Sequence, residues 1–141
     1  MFLGEFLHTI DDKGRLTIPA RFRGELATGV VVTRGFDQNL MAFSLIEWEN
    51  LAAKIANQPL SSESVRAFRR RVFSGAVDLN PDRQGRILLP QYLRDFANIN
   101  GEVVIAGMFN YMEIWNQDAW QLVRESVENS NDAQRWADLG I

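Results

Sequence analysis

The sequence predicts an α+β domain, mainly β, built from two similar halves related by a pseudo-two-fold. Three observations predict it: an internal repeat, short apolar runs bounded by turn residues, and a capped helix that closes each half. Asp11-Asp12-Lys13-Gly14-Arg15-Leu16-Thr17-Ile18-Pro19-Ala20-Arg21-Phe22-Arg23 aligns with Asp82-Arg83-Gln84-Gly85-Arg86-Ile87-Leu88-Leu89-Pro90-Gln91-Tyr92-Leu93-Arg94 at an offset of 71 residues. Further on, the offset becomes 72: Val31-Val32-Thr33-Arg34-Gly35 aligns with Val103-Val104-Ile105-Ala106-Gly107, and Leu40, Phe43, Trp48 and Leu51 align with Met112, Trp115, Trp120 and Val123. Two copies do not make a solenoid, so the repeat points to paired half-domains sharing one core.

Each half reads in the same order. Residues 5–10 and 76–80 are short extended segments. Asp11–Gly14 and Asp82–Gly85 are turns, with glycine supplying a backbone conformation closed to other residues. Arg15–Ile18 and Arg86–Leu89 are strands. Pro19 and Pro90 hold the preceding residue extended and suit a first helical turn, so helices are expected over Pro19–Leu26 and Pro90–Ala97. Val30–Thr33 and Val103–Ala106 are the next strands, apolar enough to be buried. Asp37-Gln38-Asn39 and Asn110 mark turns before strands Leu40–Phe43 and Met112–Trp115. Ser44 with Glu47 forms a capping box, followed by Trp48, Leu51, Ala52 and Ile55 at helical spacing. Asn116 opens the equivalent helix, with Trp120, Val123 and Val127. Between the halves, Ser62–Phe73 reads as a helix with Val65, Phe68 and Val72 inward and Ser74-Gly75 as its stop. Asn131–Leu139 carries a fainter helical pattern. The expected organisation is a first module with its closing helix (1–60), a connecting basic helix (61–75) and a second module with closing and C-terminal helices (76–141).

Composition narrows the function. At 141 residues and 46% apolar content the chain can bury a sizeable core. It has no cysteine and one histidine, His8, which removes disulfides, thiolate zinc sites and a cysteine nucleophile, and leaves no histidine pair for a metal or a relay. No apolar run approaches membrane-spanning length, and Met1–Phe6 lacks the basic start of a signal peptide, so a cytoplasmic protein with no membrane partner is expected. There is no phosphate-binding glycine loop with Lys-Ser/Thr and no nucleophile elbow. The reading is therefore not an enzyme, with no cofactor, no metal and no catalytic residues.

Net charge is −3, but it is unevenly spread. Residues 1–94 hold 13 basic and 10 acidic side chains, and residues 95–141 hold 2 and 8. Thirteen of the 15 basic residues are arginine, whose planar fork suits phosphate or a guanine edge.

The repeated Asp-x-x-Gly-Arg unit sets a carboxylate and a guanidinium either side of a glycine turn. Asp11 and Asp82 can accept from turn amides and hold Arg15 and Arg86; a guanidinium already held loses less entropy on meeting a phosphate. Lys13 and Arg83 stand beside them, while Gly14 and Gly85 shape the turns. The competing reading is a turn staple of little energetic worth; the duplicated basic neighbour weighs against it. Arg21 and Arg23 are secondary basic candidates. Arg66 and Arg70, with Arg69, would share one face of the connecting helix opposite Phe68 and Val72, either as a solvated or subunit-contact rim or as a nucleic-acid contact. His8 reads as structural, Trp48 and Trp120 as packing. Asp11-Asp12 has no further ligands at metal or acid–base spacing.

These residues resemble the MraZ family. Met1-Phe2-Leu3-Gly4-Glu5, the stretch Asp11–Arg23 and the second copy Asp82–Pro90 carry the resemblance, and the doubled Asp-x-x-x-Arg motif is its most specific mark. The resemblance implies two tandem AbrB/SpoVT-type half-modules forming a pseudo-two-fold swapped-hairpin barrel with flanking helices. It also implies a homo-oligomeric ring of eight or twelve subunits. The implied function is a nucleoid-associated transcriptional regulator, usually a repressor, of the division and cell-wall gene cluster, binding short direct repeats of double-stranded DNA in its own promoter. Carried over by motif position, Arg15 and Arg86 contact DNA, with Lys13 and Arg83 beside them. Gln84 stands where the first copy has Lys13, so the second loop is expected to contribute less charge. A ring presenting many basic loops on one side lets a net-negative chain bind DNA. Two rivals stay open: an AbrB-like antitoxin, which would co-purify with a small toxin, and a ring scaffold that does not bind DNA.

Overall fold

The computed structural model describes residues 1–129 and 133–141. Of the C-terminal helix expected over Asn131–Leu139, Asn131 and Asp132 lie outside the described residues, and a short helix, α5, covers Ala133–Ala137.

Among the described residues the strands are β1 (Glu5–Thr9), β2 (Arg15–Thr17), β3 (Val30–Arg34), β4 (Leu40–Ser44), β5 (Val77–Leu79), β6 (Arg86–Leu88), β7 (Glu102–Gly107) and β8 (Met112–Asn116). Six of them form one sheet in the order β1-β7-β8-β4-β3-β5, and β2 pairs with β6 in a separate ribbon. The order reads the same from either end once each strand is replaced by its counterpart in the other half. The registers confirm the two-fold. At the centre of the large sheet Met41 lies opposite Glu113, flanked by Leu40↔Ile114 and Ala42↔Met112. In the ribbon Leu16 lies opposite Ile87, flanked by Arg15↔Leu88 and Thr17↔Arg86. The pseudo-axis therefore passes through both pairs.

The halves exchange strands. β1 leaves its own half to pair with β7, and β5 leaves the second half to pair with β3. The architecture is thus swapped-hairpin, as an open six-stranded sheet capped by a ribbon, rather than a barrel closed by a continuous ladder.

The pleat explains the apolar runs of β3, β4, β7 and β8. Neighbouring residues point to opposite faces, and both faces are covered. Val30, Val32, Leu40, Ala42, Val103, Ile105, Met112 and Ile114 face inward, onto Leu16 and Ile87 of the ribbon and onto Phe22, Leu26 and Leu93. Met41 and Phe43 face outward, onto Trp48, Leu51, Phe68 and Val72. Helices α1 (Leu45–Ala56), α2 (Glu63–Phe68) and α4 (Gln117–Glu128) belong to that outer layer. The Ser44 side chain accepts from the Glu47 amide at 3.3 Å, and Asn116 from the Ala119 amide at 3.0 Å, so each closing helix starts on a side-chain cap.

Two expected elements differ. Pro90 does open a helix, α3 (Gln91–Ala97), ended by Asn98 in the left-handed conformation. Pro19 opens only a single 3-10 turn, Ala20–Phe22, instead of a helix to Leu26. Gly24 lowers helical propensity where Asp95 stands in the second copy, and Phe22 is held by edge-on contacts with Phe2 and Phe6 at 5.1 and 5.2 Å. The connecting helix widens after α2 into a π turn over Arg69–Phe73. The three arginines expected to share a face have different surroundings there. Arg66 Nη1 donates to the Leu60 carbonyl at 2.9 Å, Arg69 lies over the Phe73 ring at 5.9 Å, and Arg70 is exposed.

Candidate nucleic-acid interface

The ribbon carries the two Asp-x-x-Gly-Arg loops. Each is closed by the same set of hydrogen bonds. The Asp11 amide donates to the Arg15 carbonyl at 3.1 Å and the Gly14 amide to the Asp11 carbonyl at 3.0 Å; Asp82, Arg86 and Gly85 repeat this at 2.9 and 3.0 Å. Asp11 Oδ1 accepts from the amides of Lys13 (3.0 Å) and Arg15 (2.8 Å), and Asp82 Oδ1 from those of Gln84 and Arg86 (both 2.9 Å). The other carboxylate oxygen accepts from the arginine side chain: Arg15 Nε to Asp11 Oδ2 at 2.6 Å, Arg86 Nε to Asp82 Oδ2 at 2.8 Å. One carboxylate thus shapes the turn with one oxygen and orients a guanidinium with the other.

The charge state follows. Both carboxyls are held below the ordinary aspartate range. For Asp11 the hydrogen bond from the Arg15 amide is the largest cause and outweighs the opposing effect of desolvation; for Asp82 the Arg86 amide plays that part. The turn amides, more than the guanidinium charge, keep these groups ionised.

Alternation along the ribbon sets direction. Leu16 and Ile87 are buried, so Arg15, Thr17, Arg86 and Leu88 lie on its opposite, outward face. Arg15 and Arg86 are therefore diagonal neighbours on one surface, with about a third of each side chain exposed (36% and 27%). Lys13 and Arg83 are exposed at the loop tips, and no ion pair involves either among the described residues. Leu88 is exposed opposite Arg15, an apolar spot on a cationic face.

The acidic helix near the C-terminus lies elsewhere. Ile114 faces the inner core, so its neighbour Trp115 faces the outer layer, where its ring meets Trp120 of α4 at 5.9 Å. Helix α4, with Asp118, Glu125 and Glu128, is therefore on the far side of the large sheet from the ribbon. The acids of α4 are thus separated from the loops by the core, whereas Asp95, beside Arg94, and Glu102, beside Gly101, are on the loops' side of it.

The secondary candidates divide. Arg21 is exposed beside Met1, Leu3 and Glu25, at the 3-10 turn. Arg23 turns back instead: its Nε donates to the Ile18 carbonyl at 3.0 Å, and its guanidinium rests on Gly85 of the other loop. Its charge also helps burial to lower the pKa of His8, burial being the larger cause. In the connecting segment Arg71 donates to the Gly35 carbonyl at 2.7 Å and Arg34 to the Arg71 carbonyl at 3.0 Å, so both tie that segment to β3. Sequence reasoning left out Arg94, which repeats Arg23: its Nε donates to the Leu89 carbonyl at 3.0 Å and its guanidinium rests on Gly14. The signal was its alignment with Arg23 at the offset of 71. Among the described residues no group of three or more His, Cys, Asp or Glu side chains is placed to hold a metal, and no helix is long and apolar enough to cross a membrane.

Comparison with known proteins places the repeat in context. A family model described as "MraZ protein, putative antitoxin-like" matches residues 1–71 and again residues 72–139. A protein named Transcriptional regulator MraZ from Roseiflexus castenholzii is 52% identical over 141 residues, covering 99% of both chains. Proteins of the same name from Herpetosiphon aurantiacus (52% over 133 residues, 94% of this chain and 93% of that one) and Acetivibrio thermocellus (41% over 143 residues, 100% of both) match similarly. Among solved structures, the solution structure of PHS018 from Pyrococcus horikoshii aligns at 16% identity with a TM-score of 0.34, covering 81% of this chain and 88% of that one, a likeness too slight to argue from.

Proposed function

We propose, since this chain belongs to the MraZ family, that it is a transcriptional regulator whose ribbon face binds double-stranded DNA. The observation that carries this reading is the pairing of Arg15 and Arg86 on one outward face, each fixed by its own aspartate. Nε of each guanidinium is occupied, and among the described residues its Nη groups have no hydrogen-bond partner. Oriented arginines of this kind serve phosphates and guanine edges alike. Lys13 and Arg83 widen the cationic surface at the tips, while Asp11, Gly14, Asp82 and Gly85 hold its shape.

The protein acts in the cytoplasm, at the nucleoid, and is not an enzyme. It binds short direct repeats upstream of its own gene, in the division and cell-wall cluster, and represses transcription from them. It does so as a homo-oligomeric ring of eight or twelve subunits. Repetition suits this chain, because a single protomer offers few phosphate contacts and carries net negative charge; several copies on repeated boxes multiply a weak contact.

The test is a gel shift on the DNA upstream of its own gene, at two salt concentrations, with the wild type and the Arg15→Ala, Arg86→Ala double variant. The wild type should lose affinity steeply as salt rises, as phosphate binding demands. The double variant should lose binding while its solution mass stays that of the wild type. Unchanged affinity in the double variant would overturn the loop assignment.

A further inference from the structure

We propose that Arg23 and Arg94 complete the two loop sites from across the pseudo-two-fold, so that each DNA-contacting tip is built by both halves of the chain. This rests on the DNA-binding reading above and adds residues to the same two loops.

The crossing begins in the backbone. The Ile18 amide donates to the Gly85 carbonyl and the Leu89 amide to the Gly14 carbonyl, both at 2.8 Å, so the end of each ribbon strand is bonded to the other half's loop. Five residues on, Arg23 and Arg94 return to these points, each giving its Nε to the carbonyl of that same residue at 3.0 Å. Their guanidiniums then cover the glycine of the opposite loop. A Cβ placed on Gly14 would lie 2.9 Å from Arg94 Nε and Cζ, and one on Gly85 would collide with Arg23 in the same way. Glycine is favoured at these positions by the positive φ of +89° and +73°, and at Gly14 also by the Leu89 carbonyl, 2.9 Å from where a Cβ would sit; any side chain at either position would also displace the arginine.

The arrangement leaves charge to spare. Arg15 and Arg86 meet a carboxylate. Arg23 and Arg94 meet only carbonyl oxygens, and neither takes part in an ion pair among the described residues. Each tip therefore carries two oriented guanidiniums, one held by an aspartate of its own half and one held by a carbonyl of the other. Arg94 also lines a groove with Asp11, Asp12, Asn100 and Gly101, open to solvent beside the first loop; Asp11 is engaged by Arg15, and neither carboxylate forms an ion pair with Arg94 among the described residues. A purely structural strut needs the Nε bond and the packing on glycine; it has no need of an uncompensated charge. A phosphate would supply the missing counter-charge without further ordering.

The experiment uses the full chain and the duplex from upstream of its own gene, with affinity measured across a range of salt. Arg94→Gln should lower the slope of log affinity against log salt by about one for each subunit engaged, and weaken binding about tenfold at fixed salt. Arg94→Lys keeps the charge and loses the planar fit, so it should retain the wild-type slope while binding a few-fold more weakly. Arg23→Gln should repeat the result at the second loop. An unchanged slope in both Gln variants, whatever their affinity, would reduce these residues to struts and overturn the proposal. Should Arg94→Gln fail to fold, the wild-type chain answers through the side-chain NMR signals of Arg23 and Arg94: they should shift on adding the duplex, and unmoved signals overturn it. Failure of the DNA reading itself is distinguishable, since the wild-type chain would then show no salt-dependent binding to the duplex at all, before any variant is compared.

Discussion

At the tip of the first loop stand Asp12 and Lys13; at the tip of the second stand Arg83 and Gln84. Beneath these tips the backbones agree closely. Their five matched hydrogen bonds differ by 0.2 Å at most (3.1 against 2.9 Å, and 2.6 against 2.8 Å). The duplication thus preserved the turn and its aspartate–arginine pair, and let the two outermost residues change. It also corrects an expectation. Replacing Lys13 by Gln84 suggested a weaker second loop, yet Asp12 is simultaneously replaced by Arg83. Counted over five residues the first loop is neutral and the second is +1.

The comparison can be broken most forcefully at the axis. Leu16 and Ile87 face each other across it and are essentially without exposure, at 0% and 1%. If the halves are equivalent in energy as in shape, Leu16→Ala and Ile87→Ala should each cost about 3 kcal/mol of unfolding free energy, the usual range for a buried aliphatic truncation. Because the two residues touch, the double variant should depart from the sum of the singles. Denaturant unfolding checks this, and a cost of a few tenths at one site alone would show that one half dominates the fold.

A smaller effect sharpens the comparison at the loops. Arg15→Ala and Arg86→Ala should each weaken DNA binding by about 2 kcal/mol, typical of a charge-assisted hydrogen bond. The count of charges above predicts that the two fall within about threefold of each other. A gel shift on the single variants measures the ratio; a ratio of a hundred would mean that one loop reads the DNA while its twin only supports the ribbon.

Much of this was legible in the sequence because it depends on residues close together in the chain. The loop needs Asp, Gly and Arg within five positions, and the caps need Ser44 or Asn116 beside an apolar helix face. The strand exchange was not legible in this way. Glu5 pairs with Ala106, and β5 with β3, through registers that no local pattern encodes. The repeat hinted at a two-fold, but either a swapped or an unswapped pairing would have satisfied it. The 3-10 turn after Pro19 was hidden for a related reason: Phe22 is fixed by Phe2 and Phe6, contacts made through the fold and not through helical spacing. Arg94 was visible in the alignment and passed over, because its partner, Gly14, lies 80 residues away and only the three-dimensional structure joins them.

The mildest perturbation is acid, and its direction follows from the aspartates. Both carboxyls titrate lower in the folded loop than an ordinary aspartate, near 3.9 in unfolded chains, because they accept turn amides. The ionised form is therefore the one the folded loop prefers. Loop order contributed by Asp11 and Asp82 should be fully present above the ordinary value and be lost as pH falls through the lowered one. Since the same oxygens hold the amides of Lys13, Arg15, Gln84 and Arg86, exchange of those four amides reports the change directly. Their protection, relative to the amides of β4 and β8 in the middle of the sheet, should hold at neutral pH and fall only under strong acid. It should fall at both loops together, because the carboxylates are bound alike. Asp11→Ala, which removes the acceptor, should give a first loop unprotected already at neutral pH while the second keeps the wild-type profile. Loss of protection at both loops in that variant would show that the ribbon couples them, and that their likeness is sustained by contact across the axis as well as by duplicated sequence.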